Sequence, residues 1–209
     1  AATQFNIGGN RILSNAGASN LFAGINAGTA NTTGGFNSFF GFGAGSANTQ
    51  GLFNSFFGGN AGLFNTTGTS NSFFGRATGQ ANTSGSENSF FGDTAGVVNT
   101  TGSFNSFFGV GAGSANTVGG RNTFFGWSAG QSNAGGFDNA YFGWNAGKLS
   151  ISAQNSFFGA NAGASNTVGT QNAFFGYYAG TRNTTGFANV FVGTGAGALN
   201  TTGIRNAFF

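Results

Sequence analysis

The segment Asn105-Ser-Phe-Phe-Gly-Val-Gly-Ala-Gly-Ser-Ala-Asn-Thr-Val-Gly-Gly-Arg121 contains the pattern that decides the fold. With its first Asn as position 0, the pattern reads N-x-F-F-G-x-x-A-G-x-x-N-T-x-G-x-x and recurs along most of the chain. A fixed short period is the signature of a repeat architecture. The copies are 17 residues apart except for one step of 16, and they begin at Asn20, Asn37, Asn54, Asn71, Asn88, Asn105, Asn122, Asn139, Asn155, Asn172, Asn189 and Asn206.

The length of the period and its glycines favour strands over helices. Helical-hairpin repeats need about 33 residues or more, and each Gly inside a helix costs about 1 kcal/mol relative to Ala. Short apolar runs between Gly turns are typical of strands. We therefore predict an all-β protein, a β-solenoid (parallel β-helix or β-roll) of about twelve 17-residue coils. Each coil is predicted to hold two short strands, one on N-x-F-F and one on x-x-N-T-x.

The repeat also predicts the domain organisation. Residues 20–209 form a single solenoid, and residues 1–19, which match the pattern poorly, form an irregular N-terminal cap or assembly segment. Terminal repeats of a stack are usually atypical because they cap it. The copy that contains Lys148–Gln154 lacks one residue, so we expect it to be locally irregular.

Stacking places residues that are 17 apart beside each other, and the few charges fit this arrangement. Arg76 and Asp93 occupy the same position in adjacent copies, as do Arg121 and Asp138. Opposite charges on neighbouring strands are favourable. We predict that these residues form two ion pairs between coils.

Side chains alternate between the two faces of a strand, so substitutions suggest which positions face inward. In the second strand, the position before Asn is mostly apolar and Thr is replaced by Ala134 and Ile151, so both positions are predicted to be inside. The second Asn then lies on the other face or at a corner. In the first strand, Ala23 and Val192 replace the second Phe and Tyr141 replaces the first, which favours the second Phe as the inner one.

The first Phe position is accordingly predicted to form an aromatic file on the outer face, where another copy of the chain would bury it. The alternative is a bent strand that turns both Phe side chains inward. The residues of this predicted assembly surface are Phe39, Phe56, Phe73, Phe90, Phe107, Phe124, Tyr141, Phe157, Phe174, Phe191 and Phe208.

The composition excludes several function classes. Charged residues make up 4% of the chain, against about 25% in ordinary domains, and there is no Cys or His to serve as nucleophile, base or zinc ligand. We expect no enzyme, no cofactor and no metal. The six bases are scattered rather than clustered, which argues against a nucleic-acid partner, and no apolar run approaches the ~18 residues of a membrane span.

Glycosylation sequences recur at one position of the repeat. They would place a glycan file along one face and make a chain with few charges more soluble. The alternative is that Asn-Thr-Thr is simply the repeat. The candidate acceptors are Asn31, Asn65, Asn82, Asn99, Asn183 and Asn200.

The unit Asn122-Thr-Phe-Phe-Gly-Trp-Ser-Ala-Gly130, together with Asn-Thr-Thr-Gly at 31–34, 65–68, 99–102, 183–186 and 200–203, resembles a known array. It is similar to the N-T-F-x-G-x-x-A-G-x-x-N-T-T-G repeats of bacterial surface and phage-tail-fibre-like proteins. The resemblance implies an extracellular or cell-surface β-solenoid, often trimeric. The double Phe departs from the commoner aromatic-aliphatic pair of those arrays.

These observations predict a structural subunit of an extracellular fibre, built by head-to-tail and lateral stacking, with the chain itself as partner. The sequence ends within a coil at Asn206-Ala-Phe-Phe209, and we expect that coil to meet the first coil of the next subunit. One alternative is an adhesin or tail-fibre stalk whose exposed aromatic residues bind a surface glycan or receptor: Trp127, Trp144, Tyr177 and Tyr178. A second is an ice-binding solenoid with the Thr file Thr32, Thr49, Thr66, Thr83, Thr100 and Thr117.

Overall fold

The chain folds as a parallel β-solenoid, as the 17-residue period predicts. The computed structural model describes residues 4–209 and, within that range, contains one fourteen-stranded sheet and no helix. The strands are β1 (Gln4–Ile7), β2 (Asn10–Ser14), β3 (Leu21–Ala23), β4 (Ser38–Phe40), β5 (Ser55–Phe57), β6 (Ser72–Phe74), β7 (Ser89–Phe91), β8 (Ser106–Phe108), β9 (Thr123–Phe125), β10 (Ala140–Phe142), β11 (Ser156–Phe158), β12 (Ala173–Phe175), β13 (Val190–Val192) and β14 (Ala207–Phe208).

From β3 onward the strands are parallel and pair with the same residue of the adjacent coil. Phe56, for example, pairs with Phe39 on one side and Phe73 on the other. Pairing stays in register across the shortened copy, where Ala140 lies opposite Ser156 although only 16 residues separate them. The missing residue therefore changes the turn and leaves the sheet unaltered.

The N-terminal segment is built differently. Strands β1 and β2 form an antiparallel hairpin, and β2 pairs antiparallel with β3, with Leu13 opposite Ala23. This hairpin covers the edge that β3 would otherwise present to solvent, which is how natural sheets avoid unwanted edge pairing. Residues 1–3 of the predicted cap segment lie outside the described residues.

The second half of each coil is a tight turn, so the prediction of two strands per coil is wrong. The backbone N–H groups of Thr66, Thr67 and Gly68 all donate to the carbonyl oxygen of Thr83 in the next coil, at 2.9, 3.1 and 3.3 Å. A strand directs its donors alternately to its two sides, and three successive donors can converge on one acceptor only if the backbone curls. Each coil therefore has one strand, and hydrogen-bonded turns make up the rest of it.

The interior contains a file of aromatic rings packed against alanines. The rings of Phe39, Phe56 and Phe73 are fully buried and stack with centroids 4.7 and 4.8 Å apart. The Gly at position 8 makes room for them. A Cβ on Gly62, whose φ is +56°, would lie 2.5 Å from the ring of Phe56.

Two ladders of buried Asn side chains complete the interior. At position 0, a typical Asn accepts the backbone N–H of the next Asn and donates to a Gly carbonyl, as Asn71 does with Asn88 at 3.0 Å and Gly85 at 2.9 Å. At position 11, the amide of Asn82 donates to the Asn65 side chain at 2.7 Å. Amides whose donors and acceptors are satisfied in this way are tolerated in an interior.

Candidate functional site

The structure reverses the predicted orientation of the two Phe positions. The first Phe of each pair, from Phe39 to Phe191 and including Tyr141, is buried in the core, and within this file only Phe208 of the last coil is exposed, at 43%. Positions 0 and 2 of a strand share a face, and position 0 is the buried Asn. The first Phe must therefore point inward and the second outward, so the predicted assembly file is the core.

The predicted orientation of the turn is also wrong. The residues before the second Asn point outward, as Phe64 and Leu149 show with 52% and 46% of their surface exposed. The replacements Ala134 and Ile151 are exposed as well. The prediction placed the second Asn on the other face or at a corner, whereas its amide groups bond to each other along the stack and remain inside.

The aromatic residues that do face outward form a second file, which we call the outer phenylalanine face. Nine rings stack one above another with centroids 4.7 to 6.2 Å apart. Most are half-buried by their neighbours, while 53% of Phe125 and 40% of Phe175 are exposed. The nine residues are Phe40, Phe57, Phe74, Phe91, Phe108, Phe125, Phe142, Phe158 and Phe175.

Two further outward files flank this face, one at position 16 before each strand and one at position 5 after it. Phe36, Phe53 and Phe104 of the first file are each more than half exposed. Trp127 and Trp144 of the second stack at 5.7 Å, with 46% and 50% of their surfaces exposed. Where these files carry aromatic residues, the apolar surface extends beyond the Phe file on both sides and is larger than the isolated apolar patches of most monomers, while other coils carry charged residues there.

Both predicted ion pairs are confirmed. Nε of Arg76 lies 2.8 Å from Oδ1 of Asp93, and Nε of Arg121 lies 2.6 Å from Oδ1 of Asp138. The hydrogen bond from Arg121 holds the pKa of Asp138 below its ordinary value. Among residues 4–209 the third acid, Glu87, is exposed and takes part in no ion pair.

The structure contradicts the candidate glycan file. The side chains of Asn65, Asn82, Asn99 and Asn183 are fully buried, and their Nδ2 atoms, which would carry the glycan, donate within the ladder. Asn31 and Asn200 are half-buried, and their Nδ2 atoms are also engaged. The acceptor motif is therefore a by-product of a repeat that uses Asn-Thr for stacking.

The remaining predicted residues lie in the position 5 file, beside it, or in the turn of each coil. Lys148 sits over the ring of Trp127 at 5.8 Å, and Tyr177 meets Tyr178 edge to face at 4.4 Å. Thr residues at position 12 are mostly half-buried, and their hydroxyls donate to the next coil, as Thr66 does to Thr83 at 3.0 Å. The structure brings together Trp127 and Trp144, while Tyr177 and Tyr178 lie further along the rod.

Sequence reasoning missed the Asn at position 0 as the residue that orients the strand. A signal was present, because position 0 is Asn in all twelve copies, and position 2 is aromatic in each, whereas the outer position 3 also accepts Ala23 and Val192. A position that tolerates small residues faces solvent more readily than one that fills a core.

Within residues 4–209, no cluster of three or more His, Cys, Asp or Glu residues is placed to bind a metal. The same range lacks any helix long and apolar enough to cross a bilayer. A scan against protein-family models found no match, and searches of curated proteins and of solved structures found no significant match either.

Proposed function

We propose that the protein is a structural subunit of an extracellular fibre, in which β-solenoids associate laterally and stack end to end. The observation that carries this proposal is the outer phenylalanine face, a stack of nine rings on a chain with 4% charged residues. Burying one Phe contributes about 2 kcal/mol before the entropic costs of association. Lateral contact with another copy removes this surface from water along nine coils.

The low charge supports the same role. Residues at one position stack every ~4.8 Å, so a charge repeated in each copy would form a repelling column. The chain instead carries polar amides inside and a few paired charges outside. Such a surface suits a protein that acts through its length and its contacts with other copies.

Electron microscopy and sedimentation of the purified chain test the proposal. We expect filaments, or laterally paired rods, for the natural sequence. The triple substitution Phe74→Ser, Phe108→Ser and Phe142→Ser should separate them into single rods. The matched control Phe64→Ser, Val98→Ser and Leu149→Ser removes exposed apolar residues from the turn side and should leave the association intact. A natural protein that is uniformly a short single particle would overturn the proposal.

A second candidate is an adhesin or tail-fibre stalk that binds a surface glycan. It is favoured by the exposed, stacked Trp127 and Trp144, since sugar rings pack on aromatic faces, and by Lys148 beside them. Glycan-array binding that Trp144→Ala abolishes and Phe64→Ala leaves unchanged would support it. The ice-binding alternative has less support, because the Thr hydroxyls already donate to backbone carbonyls. Thermal-hysteresis measurement tests it.

A further inference from the structure

The outer phenylalanine face has matching ends. Its nine rings are centred on Phe108, with four on either side. Next to the last rings, position 3 is Ala23 on one side and Val192 on the other, and Phe209 lies one coil beyond Val192. Position 1 beside the rings is small throughout the nine coils, but at the two ends it becomes Leu21 and Val190, which are 43% and 41% exposed. The outer phenylalanine face therefore presents a similar order of side chains in both directions along the solenoid axis from Phe108.

We infer that this face pairs with the same face of a second copy in a twofold, isologous contact, with the axis at Phe108 and the coil order reversed. In this arrangement a residue that lies a given number of strands before the Asn105 strand meets the same repeat position an equal number of strands after it. Each position 16 residue is counted with the strand that follows it, so Phe104 belongs to the central strand. The inference rests on the proposed lateral contact and specifies its partner surface and register. Closed twofold contacts of this kind are the commonest in homo-oligomers.

The charges of the position 16 file fit this register. Glu87, one coil before the centre, comes opposite Arg121, one coil after it. Ser70 comes opposite Asp138, two coils from the centre. Glu87 forms no ion pair within residues 4–209, so the twofold contact supplies the partner that its own chain does not. The symmetry repeats this pair on both sides of the axis.

The position 5 file is compatible with the same register. Arg76, two coils before the centre, comes opposite Trp144, and a guanidinium over an indole face is attractive. Phe42, four coils before the centre, comes opposite Tyr177. Asp93 comes opposite Trp127 and keeps Arg76 of its own chain as its ionic partner.

The other twofold arrangement keeps the coil order and brings the position 16 file of one copy opposite the position 5 file of the other. Each position 16 residue would then face the position 5 residue at the other end of the strand that follows it. Glu87 would lie opposite Asp93, and Asp138 opposite Trp144. Like charges opposed across an interface are unfavourable, so the reversed order is the one that the charges support.

The area is sufficient for a stable pair. Nine strands at ~4.8 Å give a face about 40 Å long, and the seven residues from position 16 to position 5, at ~3.3 Å each, give a width of up to about 23 Å. The contact then buries up to about 900 Å² per copy, or about 1,800 Å² in total, which lies within the range of specific interfaces.

Single cysteines test the register, because the natural chain has none. Ser106 lies on the axis, so Ser106→Cys should cross-link to itself through a short bismaleimide when two sheets face each other at ~10 Å. Ser55→Cys and Ser156→Cys, three coils before and after the centre, should each fail to self-link but should link to each other when the two variants are mixed. All three are at position 1, so each serves as a control for the others.

The outcomes separate this inference from the proposed function. Equal self-linking by all three variants would indicate the unreversed order and overturn the inference, while the lateral contact would stand. An assembly that sediments as a multimer yet forms none of these links would also overturn it. A chain that sediments as a single copy and never links would overturn the lateral contact as well.

A charge substitution provides an independent check with a matched control. Glu87→Arg places two cations opposite each other and should weaken the pair about three- to tenfold, as measured by sedimentation equilibrium at low salt. Ser70→Arg introduces the same residue one coil away, where Asp138 opposes it, and should leave the pair unchanged or tighter. Ser70 and Glu87 have nearly equal positive φ angles, of 57° and 58°. Equal weakening by both variants would contradict the register.

Discussion

The regular coils and the shortened coil that begins at Asn139 differ on one side only. On the sheet side, the bond from the Asn155 N–H to the Asn139 side chain measures 3.0 Å, the same as between Asn105 and Asn88 in a regular region. On the turn side the ladder is interrupted, and the buried Oδ1 atoms of Asn116 and Asn133 have no partner. The comparison shows that the sheet and the position 0 ladder hold the register, while the turn absorbs a missing residue.

The shortened coil also contains a local compensation. Ser150 stands where other coils have the second Asn, and the hydroxyl of Tyr141 donates to it at 2.8 Å. Ser150 in turn accepts from Asn166 at 3.2 Å, where the ladder resumes. The single Tyr of the core file thus supplies a polar group next to a shorter side chain. Burial raises the pKa of this hydroxyl well above its ordinary value.

The largest effect is expected from the position 0 ladder, and it should be the same in both regions. Asn88→Ala leaves the buried N–H of Asn105 without its acceptor and removes a donor to Gly102. Asn139→Ala does the same to Asn155 and Ser152. We expect each variant to lose about 2–5 kcal/mol of its free energy of unfolding, because one or two buried groups are left without a hydrogen-bond partner. Urea unfolding measures it, with Ser89→Ala as control, and a much milder Asn139→Ala would show that the shortened coil relies on other contacts.

The position 11 ladder should distinguish the two regions. Asn99→Ala removes three good hydrogen bonds, at 2.7, 2.8 and 3.0 Å, and we expect it to cost about 2–3 kcal/mol. Asn133→Ala, at the interruption, removes one weak bond of 3.3 Å and an unpartnered Oδ1, and should cost less than about 1 kcal/mol. Thermal unfolding of the two variants compares them. Equal losses would mean that the interruption has no energetic consequence.

Tyr141→Phe tests the compensation and should cost about 1 kcal/mol at neutral pH. Because the pKa of Tyr141 is raised in the folded state, its contribution is complete below the ordinary value of 10.0 and is lost as the pH rises above it. The natural protein should therefore lose stability in alkali more steeply than Tyr141→Phe. Phe90→Tyr serves as the reciprocal control, because it adds a hydroxyl to a regular coil in which the Oδ1 atom of Asn99 already accepts from Asn116. We expect this variant to be less stable than the natural protein. Parallel alkaline profiles would contradict this role.

The smallest effects are expected from the ion pairs. Arg76→Gln lies among regular coils and Arg121→Gln close to the shortened one, and both pairs are exposed. Each variant should melt slightly lower than the natural protein at low salt and match it at high salt, because exposed pairs are screened. Since the pKa of Asp138 is lowered, the Arg121 effect should also fade as the pH falls below 3.8. A salt-independent loss would point to packing by the Arg side chain.

The period predicted the solenoid, the coil boundaries and both ion pairs because these depend only on which residues stack. The inward and outward faces were predicted wrongly because alternation gives relative orientation but no absolute phase. The phase depends on Asn20 and its counterparts, whose amides are satisfied inside by backbone groups of other coils. Such bonds join residues 14 or 17 apart and exist only once the coils have stacked.

The second strand was predicted wrongly for a related reason. Apolar residues beside Asn-Thr resemble a short strand, yet Gly68 and its counterparts let three donors converge on one carbonyl. A Cβ on Gly68 would lie 2.4 Å from the carbonyl oxygen of Gly85 and from the Asn65 side chain. The close approach of two backbone segments is a tertiary contact. The reason for Gly at this position is therefore evident only once the path of the coil is known.

The stacked glycines at position 4 determine how much the rod lengthens when a repeat is added to the chain. A Cβ on Gly58 would lie 2.3 Å from the carbonyl oxygen of Gly75, so the space between coils holds backbone alone. The rise per coil is therefore set by peptide geometry and is independent of which side chains the coil carries. An insertion of one 51-nucleotide unit in the gene would lengthen the rod by a constant ~4.8 Å and extend every surface file by one residue. The number of repeats in the gene thus sets the length of the rod.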